Sequence, residues 1–154
     1  MNRRRGAVLA AAILACAPAG CGDIDVVTNT FATLAEARAA GAVERGWVPE
    51  LLPPGAHDIR EAHDEGSTKR RWGLFSFQPA DDEPLRRRLG AEMNLGGTAA
   101  EAPPRIEWWP ILLRGQLDGE RVAATGLKGY QVTGDRLVAA VNWNQRRAYY
   151  WSPR

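Results

Sequence analysis

Cysteine is nearly absent from this chain of 154 residues: its two copies, Cys16 and Cys21, both lie in the first 21 positions. Beyond them no disulfide can form, so the domain that follows has to stand on its core alone. Histidine is as scarce, with only His57 and His63. Long apolar runs are also missing, because residues 6–15 fall far short of the roughly 20 residues that span a bilayer. Ser67, Ser76 and Ser152 lack a Gly-x-Ser-x-Gly elbow, and Gly96-Gly97 and Gly126 lack the spacing of a phosphate-binding loop. Nothing in the chain carries a catalytic motif of recognised form, and no internal repeat is visible.

What is present at the N-terminus is an address. Arg3, Arg4 and Arg5 precede the short apolar run, and small residues then lead to a cysteine, the pattern of a cleaved lipoprotein signal. Cys16 follows Ile13-Leu14-Ala15 and is the expected lipid site. Cys21 follows Ala19-Gly20 and is the alternative, although Pro18 stands where a bulky aliphatic is expected. The organisation read from this is a signal peptide over 1–15, a flexible tether over 16–30 and one domain over 31–154, lipid-anchored at the bacterial cell envelope. Removing the three leader arginines turns 20 basic residues against 18 acidic into 17 against 18. The basicity belongs to the leader, and no nucleic-acid partner is expected.

Periodicity and punctuation predict an α+β domain with an antiparallel sheet and two or three short helices. Thr33-Leu34-Ala35-Glu36 spells a capping box for a first helix, and Gly41 suits its left-handed stop. The stretch from Gly46 to Pro54 holds three prolines and reads as a stiff apolar loop. Residues 56–64 alternate as a strand with His57, Ile59, Glu61 and His63 on one face. In 70–77, Trp72 and Leu74 face opposite to Phe75 and Phe77. Asp81, Asp82 and Pro84 start a second helix in which Leu85, Leu89 and Met93 recur at four-residue spacing, ending or bending at Gly90. Residues 106–113 read as a strand, then Pro110, then a short helix or second strand. Strands over 130–132, 136–143 and 147–152 close the chain, the last two as a hairpin turning through Asn142 to Arg146.

Two groups of residues invite a functional reading. His57, Glu61 and His63 have the ligand chemistry of a zinc site, but two histidines six apart on a strand are separated by roughly 20 Å. Solvated strand residues are the plainer account, and no cofactor or metal is expected. Six tryptophans are many for this length. Trp47, between glycine and valine-proline, and the pair Trp108-Trp109 are candidates for an exposed aromatic binding surface, against the commoner role of tryptophan in packing. The Arg70-Arg71 and Arg86 to Arg88 runs read as solvated faces.

The run Gly46-Trp47-Val48-Pro49, Leu52-Pro53, Ala56, Ile59, Glu61, His63-Asp64 resembles the YbbD head domain of bacterial envelope proteins. The family pattern is approximately G-W-[IVL]-P-x-x-[LI]-P-x-[SG]-A-x-x-I-x-E-x-H-[DN], followed by Asp-Thr-Asn and an aromatic strand. The resemblance spans about a quarter of the chain, and the end, with Tyr149-Tyr150-Trp151, is similar to the family's C-terminal strand. It departs at Glu65 to Thr68, where a Gly-Ser turn replaces Asp-Thr-Asn. The resemblance implies a small α+β domain and no established activity. It also implies Trp47 folded over a sheet that includes Trp72 and Phe75 or Phe77, under a loop that seals the core.

The function expected from all this is a non-enzymatic binding or interaction domain held at the membrane by lipid, with a protein partner, for which an immunity-like or inhibitor role is one version. The rival is a metal-assisted hydrolase built on His57, Glu61 and His63. For the anchor, Cys16→Ala is expected to abolish lipidation and Cys21→Ala to leave the protein membrane-bound. Mass spectrometry of the mature N-terminus decides it, and a lipid on Cys21 overturns the assignment.

Overall fold

A computed structural model describes residues 25–66, 69–101 and 105–153. The expected signal peptide, Cys16, Cys21 and Ser67 lie outside the described residues, as do 16–24 of the expected tether. The remainder of that tether is not a tether. Residues 26–30 form the first half of strand β1 (Val26–Thr33), so the domain opens before Phe31. Val26, Val27, Thr28 and Thr30 are β-branched and suit a pleated strand, which outweighs their small and polar character.

After β1 come helix α1 (Leu34–Ala39), β2 (His57–Asp64), β3 (Arg71–Ser76), α2 (Asp82–Arg88), β4 (Leu89–Met93), β5 (Ala99–Ala100), β6 (Gly115–Gln116), α3 (Gly119–Ala124), β7 (Leu127–Val132), β8 (Val138–Asn142) and β9 (Arg147–Trp151). Seven strands make one sheet in the order β1-β2-β3-β9-β8-β7-β4, with every neighbour antiparallel, while β5 and β6 pair separately. This is the α+β class the sequence predicts.

Both faces of the sheet are covered. On one, Leu34 and Ala37 of α1, Val48 and Leu52 of the proline loop and Leu85 of α2 pack on Ile59, Phe75, Ala148 and Tyr150. On the other, Leu95, Ile106, Trp109 and Leu113 pack on Ala62, Trp72, Ala140 and Trp151. Alternation along each strand deals neighbours to opposite faces, so Trp72 and Phe75 separate as expected.

Local signals hold at several joints. Thr33 Oγ1 accepts from the Glu36 N–H at 3.2 Å and Glu36 Oε2 accepts from the Ala32 N–H at 2.8 Å, while Gly41 takes φ +72°. The hairpin joining β8 to β9 turns where expected, with Asn142 Oδ1 accepting from the Gln145 N–H at 3.0 Å and Arg146 at φ +49°.

Other joints differ. The helix after Asp81 stops at Arg88, and Leu89 and Met93 lie in β4, paired with Val132 and Gly129 of β7. A four-residue spacing also fits a strand with a register shift, and the backbone approaches closely there, since a Cβ on Gly90 would stand 2.6 Å from the Gln131 carbonyl oxygen. Tertiary pairing thus overrides local periodicity. Residues 106–109 form turns rather than a strand, followed by Pro110 and a 3-10 turn over Ile111–Leu113. The indole N–H of Trp109 donates to the Leu113 carbonyl at 2.6 Å, closing that segment around a buried ring. Helix α3 is unanticipated, yet its Asp118 cap, accepting from the Glu120 and Arg121 N–H groups, is of ordinary type.

Trp109 is 1 % exposed and meets Tyr149 and Trp151 edge-on, whereas nearby Ile111 is 87 % exposed. Trp109→Ala is expected to cost about 3 to 5 kcal/mol, and Ile111→Ala to stay within about 0.5 kcal/mol of the parent. Urea unfolding of the two variants checks both values.

Candidate functional site

Strand β2 places Glu61 and His63 two residues apart on the face that the proline loop covers. Glu61 is fully buried and His63 is 3 % exposed. A carboxylate there needs partners, and two are supplied: the side-chain amide of Asn29, directly opposite on β1, donates to Oε1, and His63 Nδ1 lies 2.9 Å from Oε2. An ionised carboxylate only accepts, so in this bond the imidazole proton is on Nδ1. His63 Nε2 is buried and has no partner among the described residues.

The row continues through glycine. Gly73 of β3 stands opposite Glu61 and Tyr150 of β9 opposite Gly73. A Cβ at 73 would fall 2.1 Å from the Tyr150 ring, so the absence of a side chain is what lets that ring lie across β3. Burial pushes the Tyr150 phenol well above its ordinary range, and the charge of Glu61 pushes it further, while Arg71 works the other way.

Trp47 closes the group from above. Its ring stacks on the His63 imidazole with centroids 4.0 Å apart and planes within 10°, and the Arg45 guanidinium lies 4.8 Å from the indole centre. The loop carrying it is fastened by two sheet side chains. The Tyr150 hydroxyl donates to the Trp47 carbonyl at 3.2 Å, and the Arg71 guanidinium donates to the Gly46 carbonyl while pairing with Asp135. Gly46 takes φ +74°, a conformation that a side chain would strain. Beside this stack opens a cleft of about 1030 Å³, with Trp47 and His63 in its wall and Lys69, Arg70, Arg71 and Arg136 around it.

The predicted residues are therefore partly reunited and partly dispersed. Glu61 and His63 touch. His57 does not join them: Asp58, at φ +48°, shifts the β2 register beside it, and its Nδ1 lies 3.1 Å from the Gly55 carbonyl oxygen. Among the described residues no three His, Cys, Asp or Glu side chains could hold a metal ion, so the zinc-type set is corrected to a two-residue pair. Trp47 is half-buried and packs against the cluster containing Phe75 and Phe77, on the sheet that also carries Trp72 on its opposite face. Trp109 belongs to the core and Trp108 is half-buried against its edge, with centroids 6.1 Å apart, so the pair forms no open aromatic platform.

Asn29, Arg71, Gly73 and Tyr150 escaped the sequence reading. Two of them carried a signal: asparagine is disfavoured within strands, and a glycine inside a strand pattern marks close approach of another group.

Residues 25–76 match the family model of the YbbD head domain. The chain matches no curated protein and no solved structure. The matched segment spans β1 to β3 and contributes Asn29, Trp47, Glu61, His63, Arg71 and Gly73 to the site. Tyr150 comes from outside it.

Two expectations follow from this geometry. His63→Ala leaves the buried Glu61 carboxylate without its ring partner and should destabilise the domain by about 3 to 5 kcal/mol, whereas replacing both residues with apolar ones of similar size should recover much of that loss. Denaturant titration of the singles and the double measures it. For Tyr150, the folded phenol holds its proton more tightly than the unfolded one, so its contribution is complete below pH about 10 and is lost as pH rises beyond that value. Urea midpoints from pH 8 to 11 should fall in the parent and fall less in Tyr150→Phe.

Proposed function

We propose that this protein is a lipid-anchored component of the bacterial cell envelope whose domain binds a partner or ligand at the cleft beside Trp47, without catalysing a reaction. The observation that carries this reading is the fixed imidazole in the cleft wall. His63 is oriented by Glu61, roofed by Trp47 and left with one unused nitrogen. Such an arrangement presents a preorganised polar contact beside an aromatic wall, which is the usual make-up of a recognition site.

Support for binding over catalysis comes from the neighbours. Ser152, the one hydroxyl of the cleft wall among the described residues, accepts from the Arg71 N–H at 3.2 Å and makes no bond with His63. A histidine acting as a base needs a nucleophile within hydrogen-bond reach. Support for the lipid tether comes from the leader sequence and its cysteines; among the described residues no helix is long and apolar enough to cross a membrane. An inhibitor or immunity-like role fits a domain of this kind placed outside the cytoplasm.

A photo-reactive residue introduced at Gln131, exposed in the cleft wall, or at Ile111, on the opposite cover, tests the reading in intact cells. Adducts at position 131 and none at 111 are expected. Adducts at 111 alone, or at neither position, overturn the assignment of the cleft.

A further inference from the structure

The cleft has a charge pattern that narrows what it takes. Arg45, Lys69, Arg70, Arg71 and Arg136 line it against Asp64, Glu65 and Asp135, an excess of two positive charges. The acids are partly engaged: Asp135 pairs with Arg71, and Asp64 Oδ1 accepts from the Gly66 N–H at 2.7 Å. Arg70 pairs with Glu101 at 3.5 Å across the rim. Lys69 and Arg136 are exposed and have no ion-pair partner among the described residues.

Beneath these cations lies the unpartnered Nε2 of a histidine that is 3 % exposed. A buried polar atom without a partner costs about 1 to 3 kcal/mol, and an incoming donor would remove that cost. With the Nδ1 proton directed at Glu61, Nε2 carries the lone pair of the ring and accepts a hydrogen bond. Trp47 covers a face of this ring and is itself only partly buried.

We propose that the cleft binds a phosphate monoester group, its anionic oxygens held by Lys69 and Arg136 at the rim and its P–OH donating to Nε2 of His63 at the wall. A phosphate monoanion offers acceptor oxygens for an ammonium and a guanidinium and a hydroxyl for the ring nitrogen at once. The ester is carried either by a soluble metabolite or by a lipid headgroup. This inference rests on the cleft being a binding site.

The test uses full-length protein in detergent, titrated with inorganic phosphate and with glycerol phosphate at constant ionic strength. Binding is followed by calorimetry, tryptophan fluorescence and the nitrogen shifts of the His63 ring. A parallel arm measures binding to phosphatidylcholine vesicles with and without phosphatidic acid. Saturable binding that moves the Nε2 resonance and weakens at least about tenfold in Lys69→Ser/Arg136→Ser is expected. Both substituted residues are exposed, so that variant should fold, and its thermal midpoint checks this. Binding confined to the vesicles with phosphatidic acid supports the proposal with a lipid source. No saturable phosphate binding in either arm, equal binding to vesicles lacking phosphatidic acid, or an unchanged affinity in the double variant overturns it. If cross-linking at position 131 persists while phosphate fails to bind, the cleft remains a binding site for a ligand of other chemistry.

Discussion

A carboxylate with no access to water is the constraint around which one face of this sheet is arranged. Glu61 is fully buried in a strand that has neighbours on both sides. A charge in that position is expensive unless its oxygens are occupied, and Asn29 and His63 occupy them. The bond to His63 fixes the imidazole ring, the fixed ring gives Trp47 a flat surface to stack on, and the stacked indole holds the proline loop against the core. Tyr150 follows from the same demand. Its ring shields the carboxylate only because Gly73 leaves the space free, and its hydroxyl then reaches the loop backbone.

The tryptophans sort by face. Trp72, Trp109 and Trp151 are buried together under the 94–117 segment, where Trp109 meets Trp151 edge-on at 5.9 Å. The indole N–H groups of Trp72 and Trp151 are buried without partners among the described residues, so that face gains its stability from area and packing. On the opposite face, Trp47 and Trp143 are only partly buried and keep polar company. Trp143 donates to the Tyr130 hydroxyl at 3.0 Å and lies 3.8 Å beneath the Arg86 guanidinium. A cation over an indole is a modest attraction at an exposed site. One face is thus dry ballast and the other carries the fixed polar groups.

The fold class, the first helix with its cap, the stiff loop and the closing hairpin were legible because each rests on local chemistry: a threonine oxygen, prolines, an asparagine in a turn. What local chemistry does not encode is which strands become neighbours. Leu89 and Met93 keep helical spacing but are claimed by β7, and strand β1 hides in residues of tether-like composition. The site was half legible for the same reason. Glu61 and His63 share a face by alternation, whereas Asn29, Gly73 and Tyr150 meet them only through cross-strand register. His57 was lost because a single residue in the left-handed region, Asp58, shifts the pairing beside it.

Strand β3 has β9 as its inner neighbour, with Ser76 opposite Arg147 and Trp72 opposite Trp151. The middle of the sheet is therefore sewn together by the final strand of the described chain, and no shorter N-terminal portion contains a closed sheet. A chain made N-terminus first presents β1 to β3 with an unpaired inner edge until β9 has been made. Non-local closure of this kind is slow, and an open strand edge invites pairing with other chains. The architecture that gives the folded domain its buried charged row makes the nascent one dependent on being kept apart from its own copies until β9 arrives.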